Sequence, residues 1–296
     1  MNDFRLKAFQ AVAKNLSFTK AAQELFISQP AITKHVHELE GEYKVRLFER
    51  LGNRIALTAA GELLLEHCEH ILDDYKRLEY EMHLLQGEYR GELRLGASTT
   101  IAQYVLPSVL ARFTEKFPEV KVTLLNGNSF QIEEALSAHH IDLGFVEGLY
   151  RKSTLQYTFF MRDELVPVVS VKSKLARRDE IELAELPSIP LVLRERGSGT
   201  LDVLEAALFE KGWPLGDLQV RMYLGSTESI KRFLEQAECM GLVSIQAISR
   251  EIAAGLYKIV DIPGLDIPRE FMFVQLQGEE SGLPKLFMDF AQHYKV

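Results

Sequence analysis

Cysteine is scarce: Cys68 and Cys239 are the only two in 296 residues, too few and too far apart for a disulfide framework. Neither has His or Cys neighbours at zinc-ligand spacing, so no metal site is expected, and both read as small hydrophobes. Long apolar runs are missing too; none approaches the ~18 residues that span a bilayer, so no membrane partner is expected. The opening residues, MNDFRLKAFQ, carry no secretory h-region with a cleavage site, which points to the cytoplasm. No Walker phosphate loop, HExxH zinc motif or nucleophile elbow is present, so no catalytic residue and no enzymatic activity are assigned. His139-His140 has no carboxylate at ligand spacing and reads as a loop pair. Excess positive charge is also absent: 34 Lys and Arg face 42 Asp and Glu, for a formal net charge of −8.

That acidity is unevenly distributed. Residues 1–58 hold 9 basic and 6 acidic side chains, a net of +3, whereas residues 59–90 hold 3 and 8, a net of −5. The remainder carries −6, so any phosphate-facing surface belongs at the N-terminus. There, Leu6, Phe9 and Val12 repeat at helical spacing. Ser17 is placed to cap a second helix, FTKAAQEL, in which Ala21 and Ala22 are small enough for a close crossing. After a break at Phe26-Ile27, Ser28 is placed to cap a third helix, QPAITKHVHELE, with Pro30 in the first turn, where a missing N–H costs nothing. Ile32, Val36 and Leu39 form its inward stripe; Gln29, Pro30, Thr33, Lys34 and His37 face outward. Two short helices around a tight turn suit a major groove. Spacing alone leaves open a three-helix bundle whose polar face is merely solvated.

The stretch SFTKAAQELFISQPAITKHVHELE, followed by VRLFER and IALTAAGE, resembles the LysR-type regulator signature from about Leu6 to Glu62. The Ala21-Ala22, Ser28-Gln29-Pro30-Ala31, Leu47-Phe48-Arg50 and Leu57-Thr58-Gly61 groups carry the likeness. The chain departs from the pattern at Tyr43-Lys44, where Leu-Gly is usual, and in a wing, Gly52-Asn53-Arg54, with few arginines. The resemblance implies an α/β chain with an all-α winged helix-turn-helix head (1–58), a linker helix (59–90) and a two-lobed, periplasmic-binding-protein-like (type 2) effector domain (91–296). It implies that Gln29, Pro30, Thr33 and Lys34 read base edges, that Arg50 and Arg54 belong to the wing, and that Lys20 and Thr58 contact phosphates. His35 and His37 are expected to be solvated or to pack.

From Ala59 to about Gly87 there is no Pro, and Leu64, Cys68, Ile71, Tyr75, Leu78, Met82 and Leu85 alternate at spacings of four and three. This heptad seam needs a second helix, or else packs on its own domain. The resemblance favours a homodimer or tetramer through the seam, an interrupted palindromic operator in double-stranded DNA, and RNA polymerase as a further partner. Gly87 and Gly91 mark the boundary beyond it.

After Gly91, strands and helices alternate, which predicts mostly parallel α/β layers. The resemblance places one lobe at 91–162 with 267–296 and the other at 163–266, with crossovers near Met161-Arg162-Asp163 and Leu265-Asp266-Ile267. Ligands of such folds sit between lobes at the carboxyl ends of strands. Four hydroxyl- or Gly-rich loops at helix starts meet that description: Ser98-Thr99-Thr100, Asn128-Ser129, Gly197-Ser198-Gly199-Thr200 and Ser226-Thr227. Glu147, Arg194 and Arg196 stand at loop ends, where they can tune charge. Ordinary N-capping would explain any one of these hydroxyls. Taken together they predict a small carboxylate or inorganic oxyanion as effector, and no tightly held cofactor. A solute-binding transport protein and a constitutive DNA binder with a vestigial sensor are the remaining rivals. The helix-turn-helix counts against the first.

Overall fold

The computed structural model describes residues 4–51, 54–85, 89–278 and 282–294. The chain forms two compact units, Met1–Glu88 and Tyr89–Val296. Gly52 and Asn53 of the expected wing, and Gly87 of the expected boundary, lie outside the described residues.

In the first unit, α1 (Phe4–Asn15), α2 (Phe18–Glu24) and α3 (Gln29–Tyr43) pack around a shared core. The caps act as the sequence requires: Ser17 accepts from the Lys20 amide, and Ser28 from the Ala31 amide. Ala8, Val12, Ala21, Ala22, Ile32 and Val36 form one buried cluster, with Phe9, Leu39, Leu47 and Cys68 in a second. The small Ala21 and Ala22 side chains let α2 cross close to its neighbours. Lys44 ends α3 in the left-handed region (φ 55°), where the usual glycine would sit without strain. β1 (Phe48–Leu51) and β2 (Arg54–Leu57) then form an antiparallel hairpin, the wing.

The linker is one helix, α4 (Ala59–Leu85). Its first turns belong to the head. A Cβ on Gly61 would meet the Leu47 carbonyl oxygen at 2.1 Å, so only glycine lets the helix pass there. The Cys68 thiol donates to the Leu6 carbonyl at 3.4 Å, and Leu64 packs on the same cluster. This corrects the continuous seam: Leu64 and Cys68 are spent within the head, together with Leu72 from off the seam. Ile71, Leu78, Met82 and Leu85 remain exposed, and Tyr75 is half-buried.

The second unit opens with β3 (Gly91–Ser98), a π-helical turn (Ile101–Val105) running into α5 (Leu106–Lys116), β4 (Val120–Gly127), α6 (Ser129–Ser137) and β5 (Leu143–Glu147). β6 (Leu155–Ser170) leads to β7 (Leu191–Arg194), α7 (Gly199–Glu210), β8 (Val220–Leu224), α8 (Thr227–Leu234), β9 (Met240–Ser244) and α9 (Ile245–Ala253). β10 (Tyr257–Ile259), β11 (Pro268–Leu276) and α10 (Gly282–His293) complete it.

The strand order is β4-β3-β5-β11-β6-β9-β7-β8, with β10 also on β6. β3 pairs in parallel with β4 and β5, and β7 with β8 and β9. β6 and β11 run antiparallel to their neighbours, so the expected parallel character holds only within each half. β6 serves both halves: residues through Glu164 pair with β11, and from Leu165 the partner is β9. The chain therefore passes between halves within β6, between Glu164 and Leu165, just after Met161-Arg162-Asp163. Both parallel sets end their strands toward one group of loops, which positions the cleft. Phe113, Phe145, Phe160, Phe273 and Phe287 interlock beneath the first half, and Leu191, Leu193, Leu201 and Leu204 beneath the second.

Candidate nucleic-acid interface and ligand cleft

On the head, Gln29, Pro30 and Lys34 are exposed along α3, with Thr33 half-buried between them. The Gln29 amide donates to the Thr33 hydroxyl at 3.0 Å, which donates back to the Gln29 carbonyl at 3.0 Å. That local bond holds the amide at the N-terminal end of the helix, the end that recognition helices of helix-turn-helix proteins turn toward base edges. Lys34 lies 3.8 Å from Glu38 but keeps an exposed ammonium. Lys20 is exposed on α2, and Arg50 and Arg54 are exposed on the wing. A groove of about 730 Å³ runs between α3 and the wing, lined among others by Gln29, Thr33, His37, Arg46 and Arg50.

Thr58, expected at a phosphate, has its hydroxyl engaged within the head. Its hydroxyl donates to the Arg46 carbonyl at 2.7 Å and accepts from the Gly61 amide at 3.1 Å, so it caps α4. His35 pairs with Glu38 at 3.3 Å and lies edge-on to Phe4. His37 bonds Glu40 at 2.8 Å. Glu40, which sequence reasoning passed over, joins helix to wing: it accepts from the Leu47 amide at 2.9 Å and from Arg46 at 3.2 Å. Burial raises its pKa, but the bonds from Leu47 and His37 and the Arg46 charge outweigh this and hold it below the ordinary value.

In the second unit, the β3, β5 and β7 ends meet. Glu147, at the end of β5, is 2% exposed and stands between two predicted loops. Ser98 and Thr200 (3.3 Å) both donate to its carboxylate, and Ser129 donates to its carbonyl at 2.7 Å. A Cβ on Gly199 would fall 1.7 Å from that carbonyl oxygen, so glycine alone allows the contact. Arg269, from β11, donates to Thr200 at 2.8 Å, lies 3.8 Å from Glu147 and binds Asp163 at 2.6 Å. Ser244 secures Asp163 at 2.7 Å.

Sequence reasoning missed Arg269 and Asp163, because 106 positions separate the pair and neither sits in a recognisable motif. Among the described residues, five buried side-chain polar atoms have no partner: Thr99 Oγ1, Thr100 Oγ1, Ser198 Oγ, Arg194 Nη1 and Arg269 Nη2. Unpaired buried groups are costly, and all five lie at these strand ends or helix starts.

Arg194 forms a second corner, pairing with Glu195 at 2.9 Å and reaching the Gly225 carbonyl at 3.4 Å. Nearby, Tyr104 donates to Glu228 at 2.5 Å; burial and that bond push its pKa up, so it remains a donor. Asn128 caps α6 in a reciprocal box with Gln131 and touches Glu195, whereas Ser226 caps α8 and pairs with Ser229. Those two, like Thr200 and Ser98, are satisfied within the protein. Thr227 is buried, and the Gly197 carbonyl accepts from the Phe130 amide at 3.2 Å. Arg196 is held outside by Glu205 at 2.7 Å.

Residues 4–62 match the bacterial regulatory helix-turn-helix protein, lysR family, and residues 86–295 match the LysR substrate binding domain. This chain belongs to the LysR family. The uncharacterized HTH-type transcriptional regulator YeiE of Escherichia coli K12 is 32% identical over 259 residues, covering 88% of this chain and 86% of that protein. Full-length CbnR complexed with target DNA superposes with a TM-score of 0.66 at 23% identity, covering 99% of each chain. The Synechocystis PCC6803 CcmR regulatory domain in complex with 2-PG gives 0.63 at 26% identity, covering 70% of this chain and 98% of that one. The protein is therefore a LysR-type, DNA-binding transcriptional regulator with an effector-binding domain, related to regulators rather than enzymes. Among the described residues, no helix of this LysR-family chain is long and apolar enough to cross a membrane.

Proposed function

We propose that this regulator reads an interrupted palindrome as a dimer or higher oligomer, in the cytoplasm, and acts on RNA polymerase under control of a small carboxylate or oxyanion. The observation that carries the effector reading is the set of five unpartnered buried donors, drawn from Thr99, Thr100, Arg194, Ser198 and Arg269. A ligand rich in acceptors would satisfy them together, with the start of α7 favouring negative charge. The 2-PG held by the CcmR domain supports a small ligand in a domain of this kind.

A thermal-shift screen of organic acids and oxyanions on the full chain tests this reading. At least one such anion is expected to raise the Tm. Thr100→Val or Ser198→Ala, each removing one orphan hydroxyl, should then raise the half-saturating concentration roughly 5- to 150-fold, the span of ~1–3 kcal/mol. A screen without a hit, or variants with unshifted titrations, would place the sensory site elsewhere.

A further inference from the structure

The cleft contains more than donors. Glu147 is buried among them, with Ser98 on one carboxylate oxygen and Thr200 on the other. Each carboxylate oxygen has two acceptor sites, so both keep acceptor capacity after those bonds. The orphan hydroxyls of Thr99 and Thr100 follow Ser98 directly, and that of Ser198 stands two residues before Thr200. The orphan Arg269 Nη2 belongs to the guanidinium that touches both Thr200 and Glu147. Arg269 adds no surplus positive charge, because Asp163 and Glu147 already flank it. An anion that reaches the orphan Arg269 Nη2 therefore comes close to the buried Glu147 carboxylate, which lies 3.8 Å from the same guanidinium. A fully deprotonated anion would meet it lone pair to lone pair, which is repulsive and strong in a low-dielectric site. An anion carrying an O–H would turn the same contact into a charge-assisted hydrogen bond.

We propose that Glu147 makes this site selective for anions bearing a hydrogen-bond-donating O–H, such as a protonated oxyanion or a 2-hydroxy acid, over isosteres that lack one. The inference rests on the reading of the cleft as an anion site and names the class of anion it admits. Thr99, Thr100, Ser198 and Arg269 supply donors to the acceptor end of the ligand. Glu147 accepts from its hydroxyl, and discrimination arises from the repelled competitor as much as from the bond gained.

The test measures binding of two matched pairs to the full chain by calorimetry at neutral pH: phosphate against sulfate, and lactate against propionate. Phosphate keeps an O–H at that pH and sulfate has none, at nearly the same size. The hydroxylated member of at least one pair should bind about 10- to 100-fold more tightly, and the pair that discriminates identifies the source as inorganic or organic. In Glu147→Gln, whose amide can itself donate, the preference should fall below threefold or reverse. Equal binding within both pairs by the unaltered protein overturns the proposal while leaving the anion site standing. A preference that survives in a folded Glu147→Gln protein overturns the role of Glu147. No binding by any of the four overturns this proposal; the wider anion screen then decides separately whether the anion site stands.

Discussion

At the residue scale, Glu40 shows how one buried carboxylate ties a reading helix to its wing. Removing it by Glu40→Ala leaves the Leu47 amide and the Arg46 charge without their partner, and should cost ~1.5–3 kcal/mol in denaturant unfolding. Its pKa is lowered in the folded state, so its contribution is fully present above the unfolded value of about 4.3 and disappears as pH falls through the lower folded value. The stability gap between the unaltered protein and Glu40→Gln should therefore close as the pH drops below about 4. A gap that stays constant from neutral pH downward would show that the carboxylate does not hold the wing. Ser17 and Ser28 were legible as caps because a cap acts on an amide three positions away. Thr58 follows the same rule toward the Gly61 amide, but its bond to the Arg46 carbonyl, twelve residues back, is a pairing that the fold decides.

At the element scale, α4 divides its work. The heptad spacing was readable, but which seam residues stay free depended on where the head packs against the helix. Cys68 is fully buried among its own head's side chains, whereas Ile71 and Leu78 are 40% and 54% exposed. The double substitution Ile71→Glu with Leu78→Glu should leave the fold intact and dissociate the oligomer, since charges there are harmless in water and uncompensated in an interface. Sedimentation velocity checks this, and an unchanged mass would remove α4 as the dimer helix. A charge at Cys68 would unfold the head and say nothing about association. β6 teaches the same lesson from the other side. Only its second half looked like a strand, because ELVPVVS is apolar and buried, while Leu155–Asp163 mixes aromatic, polar and charged residues.

At the scale of the whole molecule, an acidic protein carries a basic head: a net charge of −8 overall, against +3 over residues 1–58 from 9 basic and 6 acidic side chains. Its DNA affinity should accordingly depend on a few cations and fall steeply with salt. Lys20→Ala should weaken operator and random DNA alike and flatten the salt slope by about one unit. Gln29→Ala should instead cost ~1–3 kcal/mol against the preferred operator and relax one base position. Anisotropy titrations over a salt series separate the two, and identical uniform losses would show that reading and positioning are not divided between these side chains.

The sequence by itself determined what depends on near neighbours and on periodicity: the capped helices of the head, the uninterrupted linker helix, the alternation of strand and helix after Gly91, and the hydroxyl-rich loops at helix starts. It also identified Glu147, Arg194 and Arg196 as residues at loop ends. Only the tertiary structure decided which hydroxyls are consumed and which are left over. Ser98 and Thr200 turn inward to Glu147, Asn128 and Ser226 are spent as caps, and Thr99, Thr100 and Ser198 stay unpaired. It also brought Arg269 to Asp163 and Glu147 across more than a hundred residues. The reason is physical: a helix or a cap is stabilised by bonds within a few residues, whereas a buried charge is tolerated only where distant strands deliver its counter-charge, and that delivery is a property of the sheet.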